Sequence, residues 1–339
     1  MDGKTGLGDK EMEMMDSITK HRLSPETLNR LAREGLGEQA AEGIRFQELT
    51  EGAFNAAYLA ETKEKDYILK AGPRKGTRIM SYEKNIMACE VEIMELLLQY
   101  PRIPAARVVC YQPWDEECSA PYFFMERLPG KSLWSEKEHL SQEQIHACKV
   151  MLGRLNREIN AITGPAFGYV GQPQMQESRW YPAFRSMLCL GIDDARAMGI
   201  DLKIDTDRLL SRLEEEKEFF EEVTVPCLVH WDLWEGNVFV SGGKITGIID
   251  WERALWADPL LELGFRTYDD PADFLEGYGK REFSPAERRR VKWYNIYLMV
   301  LTALECDYRG YQDRSSYEYA TGRLREEWEN WERPAGFVI

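Results

Sequence analysis

CLVHWDLWEGNVFV, residues 227–240, and IIDWE, residues 248–252, form the most informative pattern in the chain. Apolar and β-branched residues flank the polar ones in both segments, which predicts short buried strands joined by a loop. Gly242-Gly243 lies between the two apolar runs and is typical of a hairpin turn. Such a hairpin would return Asp250 to the loop that begins at Asp232.

The polar residues of these segments carry oxygen atoms suited to a divalent cation and to proton transfer. Asp232 and Asn237 lie five residues apart with Gly236 between them, so a turn can direct both toward one space. A carboxylate can take a proton from a hydroxyl group, and carboxylate and amide oxygens suit magnesium, which keeps several of its waters. Alone, Asn237 would be more typical of a turn and Asp250 of a strand end. Together with Asp232 they are candidate catalytic and metal-binding groups.

The rest of the chain divides into a β-rich half and a helical half. Strand patterns occur at 44–50, 55–60, 66–71, 106–112 and 121–127, interrupted by a helix pattern at 81–99. After Pro129-Gly130 the long helical patterns are 141–161, 180–197, 205–222, 284–307 and 315–331. We therefore predict an α+β fold with two lobes. Its parts are a polar helical N-terminal extension 1–43, a small antiparallel β-rich lobe 44–128 and a larger helical lobe 129–339.

Composition limits the classes of partner. The chain has 339 residues and a net charge of -15, which disfavours nucleic-acid binding and suits a cationic small molecule. No segment approaches the roughly 20 apolar residues of a membrane helix, and the start lacks the pattern of a secretion signal. The seven cysteines form no CxxC pair. We therefore expect a cytoplasmic protein without disulfides or a zinc site, and the oligomeric state stays open.

The pattern His-x-Asp-x-x-x-x-Asn followed by Ile-Asp resembles the aminoglycoside phosphotransferase and choline kinase family, which shares the protein-kinase fold. Asp258-Pro259-Leu260 is similar to a further element of that family. The resemblance covers about residues 44–270. It implies that Asp232 is the catalytic base, that Asn237 and Asp250 hold Mg²⁺, and that His230 braces the loop.

Two positions depart from the wider pattern. Trp231 stands where the family often has glycine, so it either narrows the substrate pocket or packs in the core. Asp250-Trp251-Glu252 replaces the Asp-Phe-Gly triplet of protein kinases, and no Ala-Pro-Glu follows. The replaced Asp-Phe-Gly triplet and the missing Ala-Pro-Glu both disfavour a protein kinase.

The resemblance also implies a nucleotide site in the β-rich lobe. Gly52 and Asn55 lie in the connection between two predicted strands, where a glycine lets the backbone approach phosphates. Lys70 lies in an apolar strand, and an unpaired buried ammonium is costly, so it should meet an anion. In the family, the equivalent lysine contacts the nucleotide phosphates and pairs with a glutamate on the following helix. Glu90 is the first candidate for that partner, ahead of Glu92 and Glu83.

The nucleotide base is expected at the crossover between the lobes. The segment around Glu126 and Leu128 resembles the family's hinge, whose backbone groups bond adenine. ATP is the expected nucleotide, with GTP left open.

The acceptor should bind beside Asp232, where acidic and aromatic groups suit an amino sugar or a quaternary amine. The candidate substrate residues are Trp251, Glu252, Asp269, Asp270, Asp307 and Tyr308. Other tryptophans, including Trp180, Trp234 and Trp256, are expected in the core. The resemblance thus implies an ATP-dependent phosphotransferase acting on a hydroxyl of an aminoglycoside-like compound. Alternatives are a choline, ethanolamine, sugar or amino-acid kinase and, in another class, a non-catalytic nucleotide-binding module.

Overall fold

The computed structural model describes residues 17–50, 52–262, 271–280 and 282–331. A five-stranded antiparallel sheet forms the N-terminal lobe. Its strands are β1 Arg45–Leu49, β2 Ala56–Glu61, β3 Asp66–Ala71, β4 Val108–Asp115 and β5 Ala120–Glu126. They are arranged in the order β1-β2-β3-β5-β4 with antiparallel neighbours, so the predicted antiparallel β-rich lobe is confirmed.

Each face of this sheet packs against one helix. Side chains alternate along β5, where Tyr122 and Phe124 join the core beneath α1 (Pro25–Leu36), while Phe123 and Met125 join the core that contains α3 (Ile86–Leu97). Ser24 caps the start of α1, since its hydroxyl accepts a hydrogen bond from the Thr27 amide at 3.2 Å. The part of the predicted extension that forms α1 therefore shares the core of the sheet lobe and is no separate unit.

Helices build the second lobe. In chain order they are α4 Leu133–Glu136, α5 Gln142–Asn160, α6 Trp180–Met198, α7 Thr206–Glu215, α8 Ala272–Tyr278, α9 Pro285–Arg309 and α10 Ser315–Glu329, while the short α2 is Glu38–Ala41 in the first lobe. α9 runs through the core and is buried along most of its length. Among the described residues, no helix combines the length and apolarity needed to cross a bilayer.

Two small sheets carry the segments 227–240 and 248–252. β9 (Val238–Ser241) and β10 (Lys244–Ile248) form the predicted hairpin, with β6 (Lys131–Ser132) beside β9. Gly242 and Gly243 both have positive φ, 57° and 74°, which is the conformation that a two-residue hairpin turn requires. In the other sheet, β11 (Leu255–Ala257) lies between β7 (Gly168–Tyr169) and β8 (Cys227–Val229). The loop after β8 and the end of β10 thereby meet where the lobes join.

Candidate active site

His230 connects the loop after β8 to the end of β10. Its ring is fully buried, and its Nδ1 accepts a hydrogen bond from the Asp232 amide at 3.2 Å. An amide can only donate, so Nε2 carries the proton and donates to the Ile249 carbonyl at 2.9 Å. His230 therefore fixes Asp232 relative to Asp250, the residue after Ile249.

Asn237 completes the same arrangement. Its side-chain nitrogen donates to the Asp232 backbone carbonyl at 2.8 Å and to Asp232 Oδ2 at 3.2 Å. The backbone carbonyl of Asn237 accepts a hydrogen bond from the Ile249 amide at 3.0 Å. Both side-chain bonds use Nδ2, so Oδ1 is the atom that Asn237 can offer to a cation. The three residues singled out from the sequence thus converge in space.

Magnesium suits this donor set. Asn237 offers an amide oxygen and Asp250 a carboxylate, which are the hard oxygen ligands that magnesium prefers. Within the four described ranges of the chain, no group of three or more His, Cys, Asp or Glu residues is arranged to hold a metal. A cation at this place would therefore take its remaining ligands from water and from a substrate.

Lys70 links the sheet, α3 and the end of β10. Its Nζ donates to Glu90 Oε1 at 2.6 Å and to Asp250 Oδ1 at 2.5 Å. Burial lowers the pKa of Lys70, but the carboxylates of Asp250, Glu90 and Glu252 outweigh it and raise that pKa above its usual value. The predicted pairing with Glu90 is confirmed, whereas Glu83 pairs with another residue, Arg309. Contact between Lys70 and phosphate stays a prediction.

Asp232 is held in a cluster of like charges. Burial raises the pKa of its carboxyl from 3.8 to about 7 against the opposing charge of Arg253, and the neighbouring carboxylates of Asp250, Glu252 and Glu262 add to the rise. Such a pKa suits a group that accepts a proton near neutral pH. Arg253 could not be recognised from its sequence position, because an arginine in a short turn is more typical of an exposed surface.

Glu262 was also missed in the sequence. Its buried carboxylate accepts hydrogen bonds from the Trp231 amide at 2.6 Å and the Leu233 amide at 3.1 Å, on either side of Asp232. Trp231 has a left-handed φ of 59°, which explains why glycine is often found at this position, and its ring stacks on Tyr297 at 5.3 Å. Of the two roles considered for Trp231, packing is the one observed.

The loop between β1 and β2 reaches the second lobe. Asn55 Nδ2 donates to Glu252 Oε2 at 2.8 Å, so this loop closes onto the site, and Gly52 lies exposed in the same loop. At the crossover, the Glu126 amide donates to the Arg107 carbonyl at 2.9 Å. The Glu126 amide is therefore occupied, and a hydrogen bond between adenine and the Glu126 backbone would have to use the Glu126 carbonyl as the acceptor. The nucleotide contacts of Gly52, Asn55, Glu126 and Leu128 stay predictions.

Two acceptor predictions are wrong, those for Trp251 and Tyr308. Trp251 is fully buried, donates from Nε1 to the Ile248 carbonyl at 3.1 Å and packs against His230, so it cannot line a pocket. Tyr308 is buried as well, with its hydroxyl 3.3 Å from the Asp194 carbonyl. Asp307 is paired with Arg314 at 2.7 Å. Glu252 lies in the site, and Asp269 and Asp270 lie outside the described residues.

Of the three tryptophans that we expected in the core, two are buried and one is exposed. Trp180 and Trp256 are buried, as expected. Trp234, expected in the core, is 42% exposed on the catalytic loop, and its ring centroid lies 6.0 Å from that of Trp134, which is 47% exposed. The Trp234 backbone bonds both Asp232 and Asn237 at 3.0 Å, so its position is tied to theirs. An exposed aromatic surface therefore lies beside the candidate base.

The chain has relatives of known sequence. The model of a family described as phosphotransferase enzymes matches residues 45–294. A probable ketoamine kinase of Enterococcus faecium is 25% identical over 252 residues, which are 69% of this chain and 76% of that protein. A subtelomeric hrmA-associated cluster protein of Aspergillus fumigatus is 27% identical over 121 residues, 35% of this chain. Only 23% of that longer protein's length is matched.

Solved structures resemble the whole fold. A candidate fructosamine-3-kinase from Haemophilus somnus superposes with a TM-score of 0.66 at 15% identity, over 88% of this chain and 96% of that one. The aminoglycoside phosphotransferase APH(4)-Ia, in complex with AMP-PNP and hygromycin B, gives a TM-score of 0.61 at 17% identity, over 92% and 100%. Identities this low establish the two-lobed kinase-like fold alone. Because the family model matches well over half of the chain and includes the site, this chain belongs to the phosphotransferase enzyme family.

Proposed function

We propose that this kinase transfers the γ-phosphate of ATP to a hydroxyl group of a small amino-bearing acceptor of the aminoglycoside type. The observation that carries the proposal is the meeting of Asp232, Asn237, Asp250 and Lys70 at the junction of the lobes. Phosphoryl transfer needs a group that orients the hydroxyl, oxygen ligands for a cation and positive charge at the phosphates. Each requirement has a residue at this junction.

Asp232 is the proposed base. The bonds from His230 and Asn237 fix its backbone and one carboxylate oxygen, and its raised pKa suits proton transfer near neutral pH. In the proposed reaction, Asp232 orients the acceptor hydroxyl and takes its proton as the oxygen bonds to the γ-phosphorus. The bond from that phosphorus to the β–γ bridging oxygen breaks, and ADP leaves.

The remaining charged residues serve the nucleotide. Asn237 and Asp250 would hold Mg²⁺, which supplies positive charge to the phosphate oxygens. Lys70 would contact the α- and β-phosphates while Glu90 keeps its position from the opposite side. The bond between Lys70 and Asp250 joins two groups that both act on the triphosphate in this proposal.

The charge and the exposed surfaces of the site support an amino-bearing acceptor. Glu252 and Asp232 place two interacting carboxyl groups where the acceptor must bind, in a protein whose net charge is -15. Trp234 offers an exposed aromatic face next to the base, which suits the apolar face of a ring. A ring that carries ammonium groups would use both features.

A ketoamine kinase is the second candidate. The match to a probable ketoamine kinase spans 76% of that protein's length, which favours an acceptor made of a sugar joined to an amine. Such a compound combines a ring, hydroxyl groups and a cationic nitrogen. It would therefore use the same acidic and aromatic groups as an aminoglycoside.

Screening for acceptor-dependent ATP consumption tests the proposal. The panel would hold aminoglycosides, fructosyl-lysine as a ketoamine, choline, ethanolamine and hydroxy amino acids, each with Mg²⁺ and with wild type and Asp232→Asn. We expect turnover with an amino sugar or the ketoamine, lost in the variant. Turnover with choline alone would contradict the ring-bearing acceptor, and equal turnover by the variant would remove Asp232 as base.

A further inference from the structure

Residues 17–23, here called the strap, connect the two lobes. At one end, the Ile18 amide donates to the Arg309 carbonyl at the end of α9, at 3.0 Å. At the other end, the Leu23 amide donates to the Tyr58 hydroxyl on β2, at 2.8 Å. The strap thus gives the sheet lobe a further attachment to the helical lobe, in addition to the crossover and the contacts at the site.

The middle of the strap holds the loop between β1 and β2. Thr19 is buried, and its hydroxyl donates to the Phe54 carbonyl at 3.0 Å and lies 2.8 Å from the Ser17 hydroxyl. Lys20 Nζ donates to the Thr50 carbonyl at 3.0 Å. Both contacts are made to main-chain oxygens at the two ends of the loop, so they restrain the backbone of the loop itself.

The helical lobe holds the same loop from its other side. Asn55 donates to Glu252 at 2.8 Å, and the Arg309 guanidinium lies 4.8 Å from the centroid of the Phe54 ring. Arg309 is buried and forms an ion pair with the buried Glu83. Arg309 therefore contacts the loop through its side chain and the strap through its carbonyl.

We propose that the strap holds this loop closed against the helical lobe and that Thr19 is a positioning residue for phosphoryl transfer. The inference rests on the proposed function, because it takes residues 52–55 to cover the ATP phosphates. Kinases of this fold accelerate transfer largely by positioning and by excluding water. Loosening the strap would let the loop open, so that nucleotide leaves faster and ATP binds more weakly.

Release of the fluorescent nucleotide mant-ADP from the full chain tests this inference without an acceptor. Thr19→Val removes the hydroxyl at nearly constant shape, and Thr19→Ser keeps it. Ser24→Ala is the matched control, because it removes the hydroxyl that caps α1 and touches no part of the loop. We expect Thr19→Val to release mant-ADP about three- to tenfold faster, as the loss of one buried hydrogen bond implies, while the other two variants stay near wild type.

A second variant protects the test against misfolding. Lys20→Met removes the bond to the Thr50 carbonyl on a partly exposed side chain and should accelerate release in the same direction. Equal release rates in Thr19→Val and Ser24→Ala, with similar losses of thermal stability, would overturn the strap proposal while leaving the kinase proposal intact. Failure of the wild type to bind mant-ADP would instead overturn the proposed function and the strap with it.

Discussion

Replacing Asp232 by asparagine should stabilise the protein at neutral and alkaline pH while it removes activity. Burial, together with the neighbouring carboxylates, raises the pKa of Asp232 from 3.8 to about 7 although Arg253 opposes the rise. The ionised base is thus held in an environment that disfavours its charge. Asparagine keeps the size of the side chain and carries no charge, so it removes that cost.

The sign and size follow from proton linkage. A carboxyl whose pKa is raised by folding lowers the free energy of unfolding as the pH rises from the unfolded to the folded pKa. A rise in the Asp232 pKa from 3.8 to about 7 lowers the free energy of unfolding by about 4 kcal/mol above pH 7, since each pKa unit is worth about 1.4 kcal/mol. Asp232 keeps partial contact with water, so we expect about 2–3 kcal/mol at pH 8 and about 1 kcal/mol at pH 5.

Urea denaturation without nucleotide, at pH 8 and at pH 5, measures this difference. The Asp232→Asn variant should gain stability mainly at pH 8, with kcat about 10²- to 10⁴-fold below wild type. Asp193→Asn, on an exposed side chain, is the control and should change stability by less than about 0.5 kcal/mol at either pH. An Asp232→Asn protein no more stable than wild type at pH 8 would refute the claim that folding raises the pKa of the base.

Three further outcomes follow from the contacts of the site. Asp250→Ala should remove the Mg²⁺ dependence of ATP binding, which calorimetry with and without the metal measures; unchanged binding would exclude Asp250 as a ligand. Glu90→Gln removes the ion pair between Lys70 and Glu90 but leaves Lys70 paired with Asp250, and it should raise KM for ATP about tenfold. An unaltered KM in steady-state kinetics would show that the Lys70–Glu90 pair does not position Lys70 for ATP. Glu262→Gln weakens two hydrogen bonds beside Asp232 and should lower kcat about tenfold with little change in KM, and a normal kcat would mean that the loop keeps its shape without them.

The sequence predicted the elements whose pattern is long or chemically distinctive. The helices at 142–160 and 180–198 agree with their predicted bounds within a residue, because apolar residues recur at helical spacing over many turns. The hairpin at Gly242-Gly243 was recognisable from its turn residues. Asp232, Asn237 and Asp250 were recognised together because the loop and the hairpin have fixed lengths, so spacing along the chain translates into proximity.

Features that depend on distant packing were not visible in the sequence. β7 and β11 have only two and three residues, too few for a period to appear. Glu262 acts on backbone amides near residue 232, and no local pattern marks an acid that bonds to a loop of another segment. Trp251 was predicted to line the acceptor site and is buried, whereas Trp234 was predicted in the core and is exposed. Both predictions failed because a loop sequence does not reveal which side chain faces the core.

The contacts of the strap could not be predicted from the sequence either. Residues 17–23 lie within the predicted helical extension but form no helix, and three of their hydrogen bonds go to carbonyls at positions 50, 54 and 309. Backbone oxygens carry no residue identity, so a segment that binds them leaves no mark in its partners' sequence. Thr19 could be identified only after the fold had been built.

Transfer of the labelled γ-phosphate from ATP to an amino-sugar or ketoamine acceptor tests the central claim most directly, when it is measured beside ATP affinity in wild type and in Asp232→Asn. We expect a labelled acceptor with wild type, no labelled acceptor with the variant, and ATP affinities that differ by less than about threefold because Asp232 does not bind the nucleotide. Equal transfer by the two proteins, or tight ATP binding without transfer to any acceptor of these classes, would contradict it.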